Sequence, residues 1–204
     1  MKFSDFQTLV LQHLDQYSVA GEKVPDSYNN QADYTKRIAA LANIALRLIA
    51  TQSAPILASF DPNADGFQGR TDIGNGYTKI KLPADFWKMS GQGLPCFASE
   101  DFYARNMHYQ HISEDEIVVR TRELPGLLIT YYRYPRKVQG QPSEVLDASE
   151  PVADCASFYV AAELARQDSP YVYQSLYNEF EAMMARLKKP MITEMSRTED
   201  VYGF

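Results

Sequence analysis

Helical periodicity fills both ends of this chain and is missing from its middle, and that switch limits the fold more than any other feature. Near the N-terminus, "SDFQTLVLQHLDQY" repeats Phe6, Val10, Leu14 and Tyr17 at helical spacing, with Ser4 and Gln7 as a capping box. After a break at Gly21 and Pro25, "NNQADYTKRIAALANIALRLIATQ" predicts a longer helix capped by Asn30. Its buried stripe is Tyr34, Ile38, Leu41, Ala45, Leu48 and Ile49, and Pro55 ends it. Helices return at "DASEPVADCASFYVAAELARQ", with Asp147 and Glu150 as a capping pair and Pro151 in the first turn. Then "DSPYVYQSLYNEFEAMMARLKK" starts at Ser169 and Pro170 and stops at Pro190.

From Asp61 to about Gln141 the chain is instead rich in Gly, Pro, Tyr and β-branched residues. "YTKIKL" alternates, with Thr78, Ile80 and Leu82 on one side and Tyr77, Lys79 and Lys81 on the other. "EIVVR" and "LLITYYRYP" read as strands, and "TRELPG" between them reads as the turn of an antiparallel hairpin. "SEDFYARN" reads as one helical turn capped by Ser99. The expected fold is α+β: N- and C-terminal helices form one bundle, an antiparallel β-rich region is inserted, and an extended tail follows. The corresponding segments are 1–60, 61–146, 147–189 and 190–204.

The 204 residues, 45% hydrophobic and 12% aromatic, suffice for a packed core. No apolar run approaches the ~20 residues that span a bilayer, and "MKFSDFQTLV" does not resemble a signal peptide. Cys96 and Cys155 form no metal-ligand pattern and read as reduced, buried thiols, which suits a reducing interior. A net charge of −6 argues against a protein that coats nucleic acid, because that needs clustered Lys and Arg. It suits a surface that lets DNA pass without holding it.

The stretch "DPNADGFQGRTD" has the spacing of a calcium loop. Asp61, Asn63, Asp65, the Phe67 carbonyl and Asp72 fall at ligand positions, and Gly66 supplies the sharp turn. Against this, Gln68 stands where an aliphatic residue is usual, and Asp72 is shorter than the usual Glu. "IGNGYTKI" leads into a strand, and no second loop is present. Asp, Asn and Gly are equally the residues of a polar turn, which is the favoured reading. Calcium is the only cofactor the sequence suggests.

Other chemistry is thin. His13, His108 and His111 form no zinc motif, and "GNG" and "GQG" are too short to cradle a phosphate with their backbone. Acidic pairs in "SEDEI" and "EFEAM" suit a solvated surface better than a glycosidase site, so no catalytic residues are expected. The final "MITEMSRTEDVYGF" carries Met191, Ile192, Met195, Val201, Tyr202 and Phe204 without helical periodicity. It reads either as a frayed terminus or as an arm that docks on a neighbour.

Taken in order, "YNNQADYTKRIAALANIALRLIATQ", "KLPADFW", "LLITYYRYP" and "EPVADCASFYVAAELARQDSPYVYQSLYNEFEAMMARL" resemble the head-to-tail connector proteins of tailed bacteriophages, also called adaptor or head-completion proteins. The resemblance spans nearly the whole chain. It implies a non-enzymatic ring, of dodecameric type, beneath the portal protein in the neck of the virion, assembled in the host cytoplasm. Such a ring extends the DNA channel without binding DNA specifically or touching a membrane, and offers a platform to the tail or the next neck protein. It implies that the C-terminal residues reach the portal. The runner-up function is a calcium-responsive binding module built on Asp61–Asp72. A hydrolase of sugar polymers comes third.

Overall fold

The computed structural model describes residues 1–14, 28–90, 94–97, 104–107, 109–124 and 127–187, with backbone alone for 28–32, 94–97, 104–107 and 123. The fold is α+β, with two compact units. Residues 1–54 and 138–204 make the first, and 55–137 the second.

In the first unit the ends of the chain meet around α3 (Glu150–Ala165), which packs against α1 (Phe3–His13), α2 (Tyr28–Gln52) and α4 (Pro170–Leu187). With neighbours on three sides, α3 needs an apolar surface nearly all round and small residues where helices approach. Ala153, Ala156, Ser157, Ala161 and Ala162 are fully buried along it, with Val160 and Leu164. From the other helices Phe3, Phe6, Val10, Ile38, Ala42, Ala45, Ile49 and Phe180 complete this core.

The helix ends depart from the sequence expectation. Ser4 does not cap α1; it lies within the helix. The segment before α3 satisfies the first amides instead, with Phe3 N–H donating to the Glu144 carbonyl at 2.7 Å and Ser4 N–H to the Pro142 carbonyl at 3.2 Å. A tertiary contact has replaced the local cap. Asn30 likewise falls inside α2, which begins at Tyr28. Ser149, not Asp147, takes the N-cap position of α3, and its carbonyl accepts from Val152 and Ala153.

The second unit is a pair of antiparallel sheets closed over one core, with a two-stranded ribbon of β5 (Leu94–Phe97) and β6 (Ala104–Met107). One sheet has the order β1-β9-β4, from Ile56–Phe60, Ile129–Arg133 and Phe86–Met89. The other has the order β2-β3-β8-β7, from Arg70–Gly74, Tyr77–Lys81, Glu116–Arg120 and Gln110–Ser113. Ile80, Ile117 and Val119 of the larger sheet and Met89, Ile129 and Tyr131 of the smaller share the core with Leu82, Leu124 and Leu127. Thr78, Ile80 and Leu82 are buried as the alternation predicts, while Tyr77 and Lys81 are exposed.

Two expectations fail here. "EIVVR" and "LLITYYRYP" are not a hairpin, since β8 pairs with β3 and β7 while β9 pairs with β1 and β4. With both edges of each strand taken, the chain between them crosses from one sheet to the other. It does so through a 3-10 turn at Thr121–Glu123 that buries Leu124. Of the helical turn expected at "SEDFYARN", Ala104–Asn106 belongs to β6 and Ser99–Tyr103 lies outside the described residues.

The expected boundaries at 60/61 and 146/147 fall instead at 54/55 and 137/138. Ile56–Phe60 joins the β-rich unit because it pairs with β9 along its whole length. Residues from Val138 onward join the helical unit through contacts with its helices. Asn43 exchanges two hydrogen bonds with the Val138 backbone, at 2.9 and 3.0 Å, and Leu146 N–H reaches the Met1 carbonyl.

Candidate functional site

In the turn formed by the Asp61–Asp72 span, the side chains of Asp61, Asn63 and Asp72 are already engaged. The Asp61 carboxylate accepts from Asn63 N–H at 2.7 Å, fixing the first bend. Asn63 donates from Nδ2 to the Leu124 carbonyl at 2.6 Å and accepts at Oδ1 from the Arg70 guanidinium at 2.9 Å. Gly66 follows with φ of +89°, a conformation open to glycine at no steric cost. Phe67 turns its ring toward Phe60, at 5.7 Å between centroids. Asp72 sits on β2 and accepts from Gly74 N–H at 2.8 Å. Asp65 is exposed. Arg70 therefore places positive charge on an oxygen that a calcium ion would need. Among the described residues, no group of three or more His, Cys, Asp or Glu side chains could hold a metal ion. The docking residues expected at the C-terminus, Met191, Ile192, Met195, Val201, Tyr202 and Phe204, lie outside the described residues.

Buried polar side chains mostly tie helices and strands together. Tyr34 of α2 donates to the Asp168 carboxylate at the end of α3. Burial first, and then this carboxylate, push the Tyr34 pKa up to about 12. Tyr131 does the same with Asp85 at 3.0 Å, and burial and the carboxylate again raise its pKa to about 12. His13 Nε2 lies 3.0 Å from the buried Ser157 Oγ, which donates to the Asp154 carbonyl. The His13 ring stacks on Phe158 at 3.9 Å between centroids. Ser, His and Asp thus come together, but Ser157 is fully buried and turned to a backbone oxygen, an arrangement suited to packing. Cys155 is free and buried, and burial raises its thiol pKa to about 11, far from a reactive thiolate.

The surface is more informative. In the helical unit α4 buries only Phe180 and Met184, and Tyr171 is 85% exposed. In the β-rich unit Trp87, Tyr132 and Tyr134 cluster at 6.3–6.4 Å between ring centroids, with the Lys88 ammonium 4.4 Å from the Trp87 ring. At the β2–β3 turn an open pocket of about 550 Å³ is lined by Asn75, Gly76, Tyr77, Arg120, Thr121 and Arg122. Sequence alone put Tyr77 on one strand face and Thr121 and Arg122 in a turn, and gave these residues no functional role. Their signal was the Asn-Gly of a two-residue hairpin, together with two arginines separated by one residue at the end of a strand.

No protein-family model matches this chain, and no curated protein matches it either.

Proposed function

We propose that the chain is a structural adaptor of the phage head-to-tail connector kind, a ring-forming subunit that extends a DNA channel and carries a tail. The observation that supports this most directly is the architecture. Helices from both ends of the chain form one unit around α3, and the β-rich unit is inserted between them, in the order that the resemblance requires. Such a subunit works by assembly. One unit packs on its neighbours while the other is free to meet a different partner, and many modest contacts repeated around a ring add up to a tight joint.

Charge distribution adds support. The helical unit holds ten basic and sixteen acidic residues, whereas the β-rich unit holds ten of each. A surplus of negative charge on one unit repels a DNA backbone, which suits a channel that DNA slides through. Among the described residues of the helical unit, the exposed large hydrophobic side chains Ile44, Val145 and Tyr171 offer apolar contact points for adjacent subunits.

The test is direct. Light scattering and negative-stain imaging of purified protein, alone and mixed with portal rings, should reveal closed rings. A pull-down with full-length chain and with chain stopped at Pro190 should retain portal or tail protein only in the first case. A protein that stays monomeric at high concentration and on portal rings would refute the proposal.

A further inference from the structure

The pocket at the β2–β3 turn has a chemistry that a plain assembly role does not require. Tyr77 and Arg120 are direct cross-strand partners at one end of the β3–β8 pair. Both are exposed, and Arg122 follows two residues later in the 3-10 turn, also exposed. Arg120 and Arg122, two positions apart in sequence, line the same pocket as Tyr77. Neither arginine has a carboxylate partner among the described residues.

The surrounding framework is fixed. Asn75 and Gly76 both have positive φ, at 54° and 78°, as a two-residue hairpin turn demands. Thr121 N–H donates to the Gly76 carbonyl at 2.9 Å, and the Thr121 hydroxyl meets the buried Thr78 hydroxyl at 2.9 Å. The turn and the arginine-bearing segment are thus bonded to each other, and the pocket floor is held in place.

The charge of the sheet is polarised in the same sense. Lys81 pairs with Glu116 at the far end of β3 and β8, where Glu114 and Asp115 also lie. Four residues of strand put that acidic end roughly 13 Å away, beyond a Debye length at physiological salt. Lys79 between the two ends is already paired with Glu116 at 2.9 Å. Asp72 is the acid nearest in sequence to the β2–β3 turn, with its carboxylate held by Gly74 N–H, and Glu123 adjoins Arg122, its side chain outside the described residues.

We infer that this pocket binds a phosphate group between Arg120 and Arg122, with the attached sugar or base lying against the Tyr77 ring. Paired arginines match a phosphate through planar, charge-assisted hydrogen bonds. The depression is open to solvent and wider than a bare anion needs, so a larger group can extend from the phosphate across its surface. A ring face beside the cations suits a base, which gains by stacking on an aromatic side chain. The ligand class is therefore a nucleotide unit, either free or as part of a single strand. The short "GNG" turn is not the donor; the arginine side chains are. This inference does not depend on ring formation, so either can fail alone.

The experiment uses the full-length protein at low ionic strength, with inorganic phosphate, adenosine monophosphate and a short oligothymidylate as probes. Binding is read by calorimetry, and by amide chemical shifts to locate it. We expect both nucleotide probes to bind and to shift the amides of residues 75–77 and 120–122. Affinity should fall about tenfold or more in the Arg120→Gln, Arg122→Gln double variant. Tyr77→Ala should weaken the nucleotides and leave inorganic phosphate unchanged. Tighter binding of the oligothymidylate than of the mononucleotide identifies a strand as the source, and equal affinity identifies a free nucleotide. The inference is overturned by no binding of either nucleotide, by shifts confined to other residues, by unchanged affinity in a folded double variant, or by preference for a glutamate-rich peptide over both nucleotides.

Discussion

Ser53 illustrates how a single atom can cost stability in this chain. It sits just past α2, 6% exposed, and its hydroxyl has no hydrogen-bond partner. A buried hydroxyl left unpaired loses its water without compensation, so Ser53→Ala should stabilise the protein by about 1 kcal/mol. A thermal melt should show a rise of about 3 °C. His13 makes a different residue-scale prediction. Burial lowers its pKa, and the Asp154 carboxylate opposes only part of that. The unfolded chain therefore takes up a proton at higher pH than the native state does. The stability from neutral His13 is present above about pH 6.5 and is lost as pH falls through the folded pKa. Denaturant melts across that window should show stability rising with pH in the native sequence. The slope should be shallower in His13→Gln, which keeps a donor for Ser157 and does not titrate.

At the scale of elements, the Asp61–Asp72 turn gives the sharpest test. Asn63 joins it to Leu124 and Arg70, so Asn63→Ala should cost about 1–2 kcal/mol, and millimolar calcium should leave the melting temperature of the native protein unchanged. The four helices and the strands β3, β8 and β9 were legible because period carries them, whereas the short strands β1, β2, β4, β5, β6 and β7 carry too little alternation to be read. Ile38 and Ile49 mark a helix, and Thr78, Ile80 and Leu82 mark a strand face, whatever lies around them. Ends and partners were not legible in the same way. The first amides of α1 are satisfied by carbonyls some 140 residues away in sequence, a contact that no local motif records. Sheet assignment failed between β8 and β9 for the same reason, since adjacency along the chain does not tell which edges are already taken. The arginine pocket was hidden because Arg120 and Tyr77 become neighbours only through strand register.

On the scale of the whole molecule, the pairing of β1 with β9 sets Ile56 opposite Arg133, so the β-rich unit begins and ends at one place. A fragment of residues 55–137 should therefore fold alone, with a β-type circular dichroism spectrum and cooperative melting; a broad, non-cooperative melt would contradict this. The position of α3 has a consequence for biosynthesis. Chains leave the ribosome N-terminus first, and α1 and α2 are complete long before the helix they pack on exists. At about 5–20 residues per second, the roughly 100 residues between α2 and the end of α3 take on the order of 5–20 seconds to appear. During that interval Phe6, Val10, Ile38 and Ile49 have no α3 to cover them, while the β-rich unit can already close on itself. Nascent chains stalled before α3 should thus lose α1 and α2 to protease and keep the β-rich unit. In a living cell, those two early helices are where a chaperone would take hold.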